Sequence, residues 1–138
     1  MPRADAIPDL SSYGDVFYAN TRFSVVGGTS RDISLTTDLA VSGVGFTPKA
    51  VLCFCGTQID AVASWGFAMS TLVSDRALAQ NAAGSVNGSP GNYLIDYTNG
   101  ANTNRASVKS WDADGITLQW TKTNTPTGTF YLNFLFFR

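Results

Sequence analysis

The sequence predicts an all-β domain, an antiparallel two-sheet sandwich with an extended N-terminal arm, and three observations predict it. From Phe17 onward the chain is a succession of short β-prone runs broken by Gly, Asn, Asp, Ser and Pro. Ile116, Leu118 and Trp120 alternate with Thr117, Gln119 and Thr121, the pattern of an antiparallel strand with one buried and one wet face. All ten acidic residues are Asp and none is Glu, the better helix former, which argues against long surface helices.

Residues 1–15 hold two prolines, three Asp, a Ser-Ser pair and only isolated apolar side chains. Such a segment cannot repay the entropy of ordering by itself and reads as an arm that orders on something else. Residues 16–138 read as one sandwich domain, since a chain of 138 residues is near the commonest domain size and one core serves it. Strands are expected at 21–26, 32–37, 50–56, 64–70, 72–79, 93–97, 105–111, 116–122 and 129–137. Gly27-Gly28 and Gly43-Val44-Gly45 read as turns, because neither opens a helix nor carries the Lys-Ser/Thr of a phosphate loop. The segment 81–92 is the longest expected loop and 99–104 the next, and loops of this kind often carry binding contacts. Asp112-Ala113-Asp114-Gly115 reads as a hairpin connection, with Gly115 free to take a positive φ.

In the run 129–137, Phe130, Leu132, Phe134 and Phe136 share one face, and Tyr131, Asn133, Leu135 and Phe137 the other. Two largely apolar faces mean a central strand, or one whose second face meets another subunit. Tyr131, Leu135 and Phe137 are therefore the candidates for self-association.

Charge and residue types narrow the function classes. Charged residues make up 14% of the chain against a usual ~25%, with a net charge of −1 and a pI near 5.0. The scattered Lys and Arg give no footprint for nucleic acid. Met1-Pro2-Arg3-Ala4-Asp5 lacks the apolar core of a secretory signal, and no stretch approaches the ~18 apolar residues of a membrane span. The expectation is a chain made soluble in a cytoplasm, with no membrane partner.

Cys53 and Cys55 flank Phe54 on one strand face with diverging side chains, so they read as reduced and buried. With no His and no second Cys pair they cannot complete a tetrahedral zinc site within one chain. The lack of His also removes the usual proton carrier of general-base and Ser-His chemistry, and a paired-carboxylate site would need two distant Asp to meet in space. Asp112 and Asp114 lack the remaining ligands of a calcium loop and fit turn chemistry instead. No catalytic residue, metal site or cofactor is assigned, which leaves binding as the expected activity. Trp120 is in phase with core residues. Trp111 is out of phase with Val108, and Trp65 precedes a glycine; packing is the expected role of both, the alternative being stacking on a sugar ring.

The run Gly45-Phe46-Thr47-Pro48-Lys49-Ala50-Val51-Leu52-Cys53-Phe54 leads into a strand, with Pro48 fixing the chain and Phe46 able to pack at its start. With the closing pair, Asp114 to Trp120 and Gly128 to Leu132, it resembles segments of small phage structural proteins. Under half the chain is covered. Together with the length and the proline-bearing arm, the pattern resembles the jelly-roll cement, or decoration, proteins of tailed-phage capsids, that of a Bordetella phage among them. The resemblance implies a jelly roll, a homodimer and attachment to major capsid protein on the capsid exterior of the virion, and it carries over no catalytic residue. Capsid contacts are then expected in the arm at Arg3, Ile7, Leu10 and Tyr13. The alternative reading is a tail-fibre or receptor-binding domain that recognises a host glycan through Trp65, Trp111 and loop Asn residues.

Overall fold

The computed structural model describes residues 23–58, 61–71, 75–89 and 91–138. Ten strands run through them: β1 (Phe23–Asp32), β2 (Leu39–Val41), β3 (Ala50–Thr57), β4 (Ala63–Met69), β5 (Arg76–Gln80), β6 (Val86–Gly88), β7 (Ile95–Asn99), β8 (Asn102–Asp112), β9 (Gly115–Thr123) and β10 (Thr129–Phe137). All pairings are antiparallel, and among the described residues there is no helix, hence none long and apolar enough to cross a membrane. One sheet has six strands in the order β1-β10-β3-β4-β5-β6, the other four in the order β2-β9-β8-β7. They pack face to face as a sandwich.

β10 is central, between β1 and β3, and buries Phe130, Leu132, Phe134 and Phe136 almost completely. Against them from the second sheet stand Ile116, Leu118 and Trp120 of β9 with Ile95 and Tyr97 of β7. Tyr97 meets Phe130 edge-on at 5.7 Å between ring centres. Each such side chain contributes about 1.5–3 kcal/mol by leaving water. Phe46 and Pro48 are buried just ahead of β3. Cys53 and Cys55 are free thiols on the inner face, as expected, and burial pushes the Cys53 thiol well above the usual range.

The winding is that of a jelly roll at its outer turns. β1 pairs with β10, β2 with β9, and β10 also with β3, so the two ends of the chain run together across both sheets. Between them the path is simpler: β3 to β6 form one meander and β7 to β9 another.

Several boundaries differ from expectation for identifiable reasons. The strand expected at 32–37 is a turn, because the Asp32 carboxylate accepts the Ser34 N–H at 2.8 Å and ends β1 there. Pairing resumes at the three-residue β2. Of the run expected at 72–79, residues 72–74 lie outside the described set and β5 starts at Arg76. The expected loop 81–92 contains β6, the sheet edge, and the expected loop 99–104 is a two-residue turn, Gly100-Ala101, between β7 and β8. Gly27-Gly28 is a bulge within β1, where the register shifts between Val26 and Thr29. A second bulge between Val108 and Ser110 puts both Val108 and Trp111 on the inner side of β8, which explains why the two are out of phase in the sequence.

The sheets are tied together beside β7 by a buried carboxylate. Asp96, 1% exposed, accepts Ser89 Oγ at 2.6 Å, Thr98 Oγ1 at 2.7 Å and Arg105 Nε at 3.0 Å. Its own N–H donates to Ser64 Oγ of β4 at 3.0 Å, so the network spans the gap between sheets that no ladder crosses.

At one end of the sandwich, the β8-β9 hairpin is held by the Gly43-Val44-Gly45 turn. The Asp114 carboxylate accepts the N–H groups of Gly43 (2.9 Å) and Gly45 (2.6 Å), and its carbonyl accepts that of Val44 at 3.2 Å. Both glycines sit in the left-handed region, at φ 86° and 81°, which aims successive amides at one anion. These bonds, Gly45 first, hold the Asp114 carboxyl below its usual value of 3.8. A lowered folded pKa means stability present above 3.8 and lost as the pH falls through the folded value. Asp114→Ala is therefore expected to melt below the parent chain at neutral pH, the gap closing as thermal melts are taken down to about pH 2. A gap that stayed constant with pH would contradict the anion-amide origin.

Candidate functional site

The two outer faces of the sandwich are unlike. On the four-stranded sheet, Thr117, Gln119 and Thr121 of β9 and Thr103, Arg105 and Ser107 of β8 face outward, a polar surface at ease in water. On the six-stranded sheet the outward positions are apolar in row after row. Phe23 stands opposite Phe137, and Phe137 opposite Ala50. Val25, Leu135, Leu52 and Phe67 make the next row, and Asn133, Phe54, Trp65 and Leu78 the one after. Tyr131, Gly56, Ala63 and Gln80 make the last, which Val86 of β6 extends. Among its large side chains, Phe23, Val25, Phe54, Trp65, Leu78, Val86 and Tyr131 are exposed, from 37% at Trp65 to 67% at Val25, while Leu52, Phe67, Leu135 and Phe137 are half-buried. Among the described residues only Asp32 and Arg76 bring charge to it, both at its margin. A contiguous apolar surface of this size on a small domain marks an interaction site.

The face has relief. The cross-strand pair Phe54 and Trp65 forms a ridge, and small residues leave a hollow on either side. One hollow, of about 530 Å³, lies over Gly56 between the ridge and Tyr131. The other, of about 410 Å³, lies between the ridge and Gly88 and is bounded by Leu52, Phe67, Arg76 and Leu78. The first has polar edges: Tyr131 Oη reaches Gln58 Oε1 at 3.5 Å, and Asn133 stands beside them. Geometrically this surface can exclude water from a flat apolar partner and accept a side chain in each hollow.

Trp65 is on the outside because Gly66 must be inside. A Cβ at Gly66 would overlap the Leu94 carbonyl, so the backbone leading into β7 crosses β4 there, and alternation turns Trp65 outward. Packing, expected for both Trp65 and Trp111, holds for Trp111, which lies against the core from the other sheet. The two tryptophans therefore form no common platform. The loop amides are also engaged internally: Asn81 accepts the N–H groups of Ala83 and Ser85, Asn92 accepts Arg76, and Asn104 is buried.

Tyr131, Leu135 and Phe137 all lie on the outer apolar face, in β10, the strand next to the β1 edge. Arg3, Ile7, Leu10 and Tyr13, and the boundary drawn after residue 15, lie outside the described residues. Of the neighbours of the β10 residues in the face, Trp65 is named above only for packing or sugar stacking, and Phe54, Leu78 and Val86 were not singled out. One signal for Phe54 was available, since placing Cys53 and Cys55 inside already places Phe54 outside. Among the described residues no three His, Cys, Asp or Glu side chains gather as metal ligands would. No family model, no curated protein and no solved structure matches the chain.

Proposed function

We propose that the chain is a structural protein of a phage virion that binds the capsid exterior and reinforces it by bridging neighbouring major capsid protein subunits. The observation that carries an assembly role is the asymmetry of the sandwich: one outer face polar, the other a continuous apolar sheet surface suited to burial against protein. The choice of capsid rests on the resemblance of 45–54 and of the closing strands to cement proteins.

In this reading the domain works as a homodimer joined through the face that carries Tyr131, Leu135 and Phe137, and the arm, with Arg3, Ile7, Leu10 and Tyr13, supplies capsid contacts. A unit that touches two capsid subunits forms its second contact at high effective concentration, so individually modest interfaces oppose shell expansion. A contact of ~1,600 Å² would be ample. The low charge of the chain suits neutral hydrogen bonds at such a contact.

Gold-labelled antibody to the purified chain is expected to decorate phage heads in the source lysate; labelling of tail tips, or none, overturns the capsid reading. Deleting residues 1–13 should leave a folded domain that no longer coats shells, judged by co-sedimentation. Coating by the truncated chain removes the arm as the attachment.

A further inference from the structure

We infer that two copies of this chain pack face to face through the outer surface of the six-stranded sheet, the Phe54–Trp65 ridge of each seated in the hollow over Gly56 of the other. The inference deepens the assembly reading above and rests on it for its biological setting, though not for its geometry.

Three observations favour a second copy over another occupant. The first is area. The strands β1, β10, β3, β4 and β5, about 4.8 Å apart, with eight residues along β3 rising about 3.4 Å each, present roughly 650 Å². A standard interface takes about 600–1,000 Å² from each partner. The second is relief: ridge and hollow lie side by side, so a two-fold axis in the plane of the face and between them sets each ridge over its partner's hollow. That makes the contact isologous, with Trp65 meeting the Tyr131 wall and Tyr131 meeting Trp65 in turn.

The third is charge. Two copies of one surface repel wherever it is charged near its centre, and among the described residues the only charged side chains here, Asp32 and Arg76, stand at opposite margins of the sheet. Gln58 and Asn133 at the edge of the hollow supply neutral donors and acceptors for the polar rim such an interface carries. The packing repeats between chains what the sandwich does within one, sheet against sheet about 10 Å apart.

Light scattering on the full chain over a dilution series tests this. The expected mass is twice 14.7 kDa. Phe54→Lys and Leu78→Lys change exposed side chains and spare the core, and each should weaken the dimer about thirtyfold or more. Gln119→Lys, on the polar face of the other sheet, should leave it intact. A monomer at every concentration, or a dimer that both lysine variants leave unchanged, overturns the inference. So does a full chain that is monomeric but dimerises once residues 1–22 are removed, for then the arm itself covers the face. The two readings fail separately. A dimer broken by Phe54→Lys from a chain that never labels phage heads keeps the interface and removes the capsid; labelled heads from a chain of monomer mass do the reverse.

Discussion

Gly66→Ala is expected to lower stability by about 3 kcal/mol, near 10 °C in melting temperature, or to prevent folding altogether. Gly66 lies between Cys53 and Ala77 in the six-stranded sheet, where a Cβ would overlap the Leu94 carbonyl oxygen and carbon. Those atoms are backbone, and Leu94 is itself fixed by its N–H bond to the Ala106 carbonyl at 2.8 Å, so they cannot swing aside as the end of a side chain would. Relief requires the sheets to part at β7, which loosens Leu94 and Ile95, both fully buried. Gly88→Ala is the control, because nothing lies within 4 Å of its added Cβ, and it should change stability by less than about 1 kcal/mol. Thermal unfolding of the two variants beside the parent chain measures the contrast. Equal melting temperatures for Gly66→Ala and the parent would mean that β7 does not cross β4 where the structure puts it.

Asp96→Ala carries the second largest expected effect, about 3 kcal/mol. The change removes the acceptor of three donors at once and leaves the Arg105 guanidinium without its partner. Asp96 is enclosed, but the Arg105 side chain is 22% exposed, so water relieves part of the cost and keeps it at the low end for a buried pair. Urea unfolding should show a lower midpoint with an unchanged slope. In the double variant Asp96→Ala/Arg105→Ala the loss should fall short of the sum of the two single losses by about 1–3 kcal/mol. Strict additivity would mean that the ion pair contributes nothing.

The sandwich was legible where alternation was clean and burial one-sided. β9, β10, the hairpin at 112–115 and the core position of Trp120 follow from a period of two and a glycine at the turn. Three-residue strands such as β2 and β6 leave no period to read, and their pairing is imposed by β9 and β5. Bulges hide in the same way: at Val108 and Trp111 the sequence shows a broken phase, and only the ladder shows that both residues point inward. The outer apolar face was half legible. β10 showed two apolar faces by itself, but Leu52, Phe54, Trp65 and Leu78 become one surface only when β3, β4 and β5 are laid beside it in register. Sequence distinguishes apolar from polar, whereas a second buried layer and a docking surface are apolar alike.

The placing of β10 also orders events during synthesis. β10 leaves the ribosome after the other nine strands, yet it is the one against which β1 and β3 both pair, Phe23 with Phe137 and Ala50 with Phe137. The meanders β3 to β6 and β7 to β9 close through near neighbours and can form while the chain is still emerging. Among the described strands β1 has no partner until β10. Until then it keeps an unpaired ladder edge with Phe23 and Val25 beside it, open to the nascent chains of neighbouring ribosomes, and the glycine bulge at its middle interrupts the flat run that such mispairing would need.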